Sequence, residues 1–191
     1  MKGIGPLPKV LAIHRTRLAP IRAQRYSGKR MRQALLTGIR AALYAVGFVL
    51  LWWWVAIDVR EFDRELGIVA PSGLTVPGVA LMAMGGALVT LCVFNFVVSG
   101  RGTPAPFDAP REFVAVGPYR FVRNPMYSGA SILFAGFGLY ERSVSIVTLS
   151  ALFLLGAHLF VLFYEEPTLE DRFGDSYLAY KRTTRRWLPR F

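Results

Sequence analysis

The chain has 191 residues, 53% of them hydrophobic, with a formal net charge of +11. The length suits one domain, and so much apolar content beside so much positive charge excludes an ordinary soluble globule. A single cysteine, Cys92, excludes a disulfide framework and a cysteine-based zinc or redox cluster.

Residues 1–40 hold ten Lys or Arg and no Asp or Glu. By the positive-inside bias this predicts a basic cytoplasmic segment over 1–34, followed by a membrane domain over 35–191. Beside a membrane helix the partner of such charge is anionic lipid rather than nucleic acid. Pro6, Pro8 and Pro20 predict that no continuous helix runs through the segment. The first apolar run begins only at Ala41, so no cleavable signal peptide is expected.

Four apolar runs follow, at 41–57, 74–98, 125–140 and 144–164. A bilayer core of about 30 Å asks for roughly 20 helical residues, which the second and fourth runs supply. The first reaches that length by extending back to Leu35, with Arg40 snorkelling to the headgroups. The third is short enough to read either as a span or as a re-entrant or buried helix. None alternates with the period of two of a barrel strand. The predicted fold is therefore all-α: a polytopic membrane bundle of about four transmembrane helices, with a C-terminal helical hairpin turning at Glu141-Arg142-Ser143 and a cytoplasmic amphipathic tail.

Between the first two runs, Asp58, Arg60, Glu61, Asp63, Arg64 and Glu65 carry few positive charges and predict a loop on the outer side. Arg101, Arg111, Arg120 and Arg123 return the next connection to the cytoplasm, and Lys181, Arg182, Arg185, Arg186 and Arg190 place the tail there. Both termini are thus expected inside, in the inner membrane of a bacterium. Trp52, Trp53 and Trp54 are expected in an interfacial aromatic belt. Gly78, Gly85 and Gly86 predict a close helix approach, and Asn95 a hydrogen bond between helices.

The cytoplasmic features then crowd together. Residues 99–110 are rich in glycine and proline and predict a non-helical loop that can lie over a site. Gly117-Pro118-Tyr119 is a turn, and Asn124-Pro125 reads as a helix start, with Asn as the cap and Pro at the first helical position. Glu165 and Glu166 close the fourth run before Pro167, which disfavours helix at Glu166 and predicts a bend. Carboxylates at a helix C-terminus need a cation, and Arg120, Arg123 or a positively charged ligand are the candidates. Leu169, Phe173, Tyr177 and Tyr180 form one stripe of an amphipathic helix, and Trp187 is expected at the interface.

No phosphate-binding glycine loop follows a strand, since Gly136 and Gly138 lie in an apolar helix. His14 and His158 offer no triad, and His158 reads as a hydrogen-bonded residue between helices. What remains is a pocket of helix N-terminus, glutamate pair, aromatics and arginines. It suits a zwitterionic or cationic cofactor and a greasy substrate.

The pattern Gly117-x-Tyr119, Arg123-Asn124-Pro125-x-Tyr127-x-Gly129, Glu165-Glu166 and Phe173-Gly174-x-x-Tyr177-x-x-Tyr180 resembles the isoprenylcysteine carboxyl methyltransferase and phospholipid methyltransferase superfamily. The resemblance runs from Ser99 to the end of the chain. It implies an integral membrane methyltransferase that uses S-adenosylmethionine and acts on a membrane lipid or other lipophilic acceptor. By motif position, Tyr119, Asn124, Pro125, Met126, Tyr127 and Glu165 are expected to line the cofactor, with Arg111, Glu112, Phe113 and Val114 as a backbone-contacting stretch. Arg123, Glu165 and Glu166 are the candidates for catalysis, Arg123 meeting the cofactor carboxylate; no metal is implied. Asn124 stands where the family has histidine. Val161 stands where the isoprenylcysteine enzymes have the arginine that handles a substrate carboxylate, which argues against prenylcysteine. The alternatives are a phosphatidylethanolamine-type N-methyltransferase, a non-catalytic membrane binding protein and a sterol-reductase-like enzyme using NADPH.

Overall fold

The computed structural model describes residues 9–68, 71–105 and 113–189, with side chains described from Met31 onward. Six α-helices follow one another among the described residues: α1 (Lys9–Glu65), α2 (Thr75–Val98), α3 (Pro125–Tyr140), α4 (Val144–Phe160), α5 (Glu166–Phe173) and α6 (Asp175–Thr183). Among the described residues there is no strand, only an isolated bridge between Val122 and Arg185. Three stretches of the described residues are long and apolar enough to cross a membrane: Met31–Glu65, Ser72–Val98 and Val144–Phe173. With 16 residues, α3 is about 24 Å long and falls just short of the bilayer core.

Glycines seat α3 against α2. A Cβ at Gly85 would lie 2.5 Å from the Gly129 oxygen, and one at Gly136 would lie 2.6 Å from the Met82 nitrogen. No side chain fits there, so the two backbones touch, as small residues permit in lipid. Gly78 takes part in the same seam, whereas a Cβ at Gly86 would meet nothing closer than 3.7 Å. The α3–α4 hairpin is held by a buried serine pair, with Ser150 Oγ donating to the Ser131 carbonyl at 2.8 Å and Ser131 Oγ donating to the Ser150 carbonyl at 3.2 Å. Each hydroxyl finds a backbone acceptor in a setting without water.

Helix α1 corrects three expectations. It runs through Pro20, because a proline removes one hydrogen bond from a helix that is otherwise formed on both sides of it; Pro6 and Pro8 lie outside the described residues. Its end reaches Glu65, so the acidic stretch from Asp58 is helix and not loop. The tryptophans consequently sit about three turns inside the helix end. Trp52 packs on Phe134 and Phe153 at 5.3 and 5.2 Å, Trp53 packs on Phe137 at 5.0 Å, and only Trp54 faces outward without such a contact among the described residues.

The last turn of α1 is latched to the hairpin turn. Buried Asp63 accepts from Ser145 N at 3.0 Å, Ser145 Oγ at 2.7 Å and Ser143 Oγ. It thereby caps the start of α4, where free N–H groups and the helix dipole favour an anion. Arg60 and Glu141 add an ion pair at 2.6 Å.

Candidate functional site

At the opposite end of the bundle the polypeptide between α2 and α3 forms a short 3-10 turn, Gly117–Arg120. Gly117 has φ +58°, a conformation that favours glycine, and a Cβ there would come within 2.4 Å of Asn95 Nδ2, so that side chain would have to shift. Among the described residues Asn95 does not bridge helices as expected: its amide donates to the Leu91 carbonyl one turn back, at 2.8 Å. The turn buries Tyr119 beside Cys92 and Val114, edge-on to Phe96 at 5.4 Å. Burial pushes the Tyr119 phenol well above its ordinary range, so it stays neutral.

Asn124 occupies the cap position of α3, yet its side chain makes no cap bond. It turns to the tail, where its backbone N and Nδ2 both donate to the Arg186 carbonyl at 3.2 Å. Arg123 N donates to the Arg185 carbonyl at 2.9 Å in the same crossing. The amide, where the family has histidine, is thus committed to the backbone of the C-terminal segment.

The glutamate pair lies inside a helix rather than at its end. From α4 the chain continues through a π-helical turn, Val161–Glu165, directly into α5, and Glu166 has ordinary helical angles of −62° and −47°. Pro167 does not bend the chain away, because the widened turn upstream, with Glu166 N bonded to the Val161 carbonyl, absorbs the proline's missing hydrogen bond and its steric demand. The break comes instead at Gly174, with φ +51°, which divides the expected single tail helix into α5 and α6. The tail stripe is put to packing: Phe113 contacts Phe173, Tyr177 and Tyr180 at 5.4, 5.7 and 5.1 Å.

The two glutamates are treated differently. Glu166, 4% exposed, is held by Arg186 in a bidentate pair at 2.8 and 3.0 Å, by Arg123 at 3.1 Å and by Lys181 at 3.4 Å. The hydrogen bonds that Lys181 donates to Glu170 and Glu166 raise its ammonium, and those that Arg186 donates to Glu166 raise its guanidinium. Glu165 accepts from the Tyr127 hydroxyl at 2.9 Å and, among the described residues, has no ion pair. Arg120, offered from sequence as a counter-ion, is exposed and pairs with neither glutamate among the described residues.

These groups surround one cavity. Its wall includes Phe113, Val114, Tyr119, Arg123, Asn124, Tyr127, Glu165 and Glu166, with Pro104 and Ala105 from the loop after α2 and Phe160, Val161 and Tyr164 from the α4 side. Of the residues expected from sequence, Pro125 is fully buried behind the wall, and Met126 packs on the Cys92 cluster instead of lining the cavity. Arg111 and Glu112 lie outside the described residues. Arg123 Nε and Nη1 are buried without a hydrogen-bond partner among the described residues.

A phospholipid methyltransferase family model matches residues 74–176, more than half of the chain. The chain belongs to that family. Comparison with the curated proteins finds no match. As a phospholipid methyltransferase family member with apolar helices of spanning length, the protein is an integral membrane methyltransferase of the superfamily whose motifs it carries.

The family match stops short of residues that the site uses. Lys181, Arg186 and Trp187 lie beyond it, as does the hydrogen bond from Trp187 Nε1 to His158 Nδ1 at 3.1 Å. That bond gives His158 a hydrogen-bond partner, but in the non-helical tail after α6 and not on another helix as expected, and it seats Trp187 against α4. In the sequence, Arg186 counted only as a topology charge. The available signal was the buried carboxylate's need for more positive charge than Arg123 supplies.

Proposed function

We propose that this membrane methyltransferase takes its methyl group from S-adenosylmethionine and passes it to a lipophilic acceptor that reaches the site from the bilayer. The observation that carries this reading is the divided glutamate pair on the cavity wall: one carboxylate neutralised by protein cations, its neighbour without an ion pair among the described residues. The residues fit the cofactor's mixed charge. Glu165 is placed to offset an ammonium or sulfonium, Arg123 brings a guanidinium to the wall for a carboxylate, and Phe113 and Tyr119 offer aromatic faces to an adenine. When bound, the cofactor supplies an electrophilic methyl on sulfur, which requires no metal.

The protein's part is positioning and exclusion of water. Tyr127 fixes the Glu165 carboxylate through its hydroxyl. Phe160 and Tyr164 line the cavity while exposing surface on the outer face of the helix, which gives a greasy acceptor a sideways route. Positive charge clustered on the site end supports a cytoplasmic cofactor face with both termini inside.

Calorimetric titration of the purified protein with S-adenosylmethionine and, separately, NADPH tests the cofactor. Saturable binding of the first alone is expected; binding of NADPH alone sinks the reading in favour of a reductase. For the acceptor, Val161 is buried, 1% exposed, at the place of a carboxylate-binding arginine. No cation there compensates an anionic prenylcysteine head, which favours a neutral or amine-bearing lipid head such as ethanolamine. Labelled cofactor should therefore mark total membrane lipid and leave a farnesylcysteine analogue nearly unlabelled; saturable labelling of the analogue overturns this acceptor assignment.

A further inference from the structure

Methyl transfer to an amine has a requirement that transfer to a carboxylate lacks. At neutral pH an amine-bearing lipid head is an ammonium, whose nitrogen has no lone pair to offer until a proton leaves. A base within hydrogen-bond reach of that nitrogen removes the obstacle. The cavity wall narrows the choice of base to one group. Among the described residues it carries no histidine, lysine or aspartate, and Arg123 and Arg172 are permanent cations. Its tyrosines hold their phenol protons at neutral pH and have no room for another.

The glutamates remain, and they differ. Arg186 takes both oxygens of Glu166, and Arg123 and Lys181 add their charge, so a proton arriving there would meet three cations. Glu165 has no ion pair among the described residues, and its one hydrogen bond there comes from the Tyr127 hydroxyl to Oε2 at 2.9 Å. Its Oε1 has no partner among them and, unlike Arg123 Nε and Nη1, is not sealed in. An in-line transfer brings the accepting nitrogen to about 3–3.5 Å from the methyl carbon, so a carboxylate that offsets the sulfonium is within a side chain's reach of that nitrogen.

We propose that Glu165 is the catalytic base of this methyltransferase, receiving on Oε1 a proton from the ammonium head of an amine-bearing lipid. The proposal rests on the S-adenosylmethionine reading above. The N–H bond breaks toward Glu165 and leaves its electron pair on nitrogen. That pair forms the new N–C bond while the methyl's bond to sulfur breaks, its electrons staying on sulfur. The methylated head keeps one positive charge, and the Glu165 carboxyl returns its proton to water. Tyr127, by holding Oε2, keeps Oε1 for the head.

The test uses the full-length parent protein, Glu165→Gln and Glu165→Asp, with thermal melting to establish that each is folded, and two lipids that differ only in the head. One bears ethanolamine, an ammonium at neutral pH; the other bears its aminooxy counterpart, whose nitrogen is uncharged there. Without cofactor, the parent should bind the ethanolamine lipid more tightly than the aminooxy lipid by about tenfold or more, and Glu165→Gln should lose that preference. Turnover is then measured at S-adenosylmethionine concentrations that calorimetry shows to saturate each protein. Glu165→Gln should slow methylation of the ethanolamine head by about a hundredfold or more and that of the aminooxy head by less than about tenfold, because an uncharged nitrogen already presents its lone pair. Glu165→Asp keeps a carboxylate, set back by one methylene, and should retain more of the ethanolamine rate than Glu165→Gln. Equal slowing on both heads would make Glu165 a group that only holds the cofactor and overturn the proposal, as would an unslowed ethanolamine rate or a parent that binds the two heads alike. A parent that binds S-adenosylmethionine and methylates neither head overturns the proposal and leaves the cofactor assignment standing. A parent that does not bind S-adenosylmethionine overturns both.

Discussion

The two ends of the bundle handle buried charge in opposite ways. At one end Asp63 is filled by three donors from Ser143 and Ser145. At the other, among the described residues, Glu165 has a single tyrosine hydroxyl and Arg123 Nε and Nη1 have no hydrogen-bond partner, although Glu166 beside them is fully engaged. A buried polar group without a partner costs stability, so a satisfied network marks structure and an incomplete one marks a place kept for a ligand.

The sharpest break of this contrast is the same substitution at adjacent positions. Glu166→Gln removes the charge that Arg123, Arg186 and Lys181 share, and should destabilise the protein by about 3 kcal/mol or more, read as a lowered denaturation midpoint. Glu165→Gln retains an oxygen for Tyr127 and should leave the midpoint nearly unchanged, while S-adenosylmethionine affinity falls roughly ten- to a hundredfold, matching a charge-assisted bond of about 1.5–3 kcal/mol. Equal effects of the two on stability would erase the distinction between the glutamates.

The far end supplies the next test. Asp63→Ala should destabilise by about 2–3 kcal/mol, since it removes the acceptor of Ser145 N at the α4 start and of the Ser143 and Ser145 hydroxyls. Cofactor affinity of the folded variant should be that of the parent. A change in affinity would show that the latch reaches the site through α4.

The smallest effect is one of pH. Burial, with Glu166 nearby, pushes the Tyr177 phenol up to about 12, and burial raises Tyr180 further, both above the unfolded value of about 10. A phenol with a raised folded-state value contributes stability that is full below the unfolded value and is lost as pH rises through the folded one. Stability should therefore decline from about pH 10 upward, by about 1.4 kcal/mol per pH unit for each such tyrosine. Lys181, also raised, acts in the same direction. Tyr177→Phe should flatten the decline measured by melting between pH 9 and about 12; an unchanged slope would place the alkaline sensitivity elsewhere.

What the sequence determined by itself was what short-range chemistry and composition control. The apolar runs predicted the bounds of α2 to within a residue and those of α3 directly, because lipid demands an unbroken hydrogen-bonded helix wherever the chain is apolar. Gly78 and Gly85 announced the α2–α3 seam, Gly117 its turn, and the Arg123-to-Gly129 and glutamate motifs their family. Only the tertiary structure decided the rest. Pro167 read locally as a helix break, but a π turn five residues wide accommodates it, and such a turn is stabilised by what it packs against and not by its own residues. Trp52 read as an interface anchor until Phe134 and Phe153, distant in the chain, enclosed it. The division of labour between Glu165 and Glu166 was invisible for the same reason: identical neighbours in sequence differ in charge environment only because Arg186, twenty residues on, folds back onto one of them.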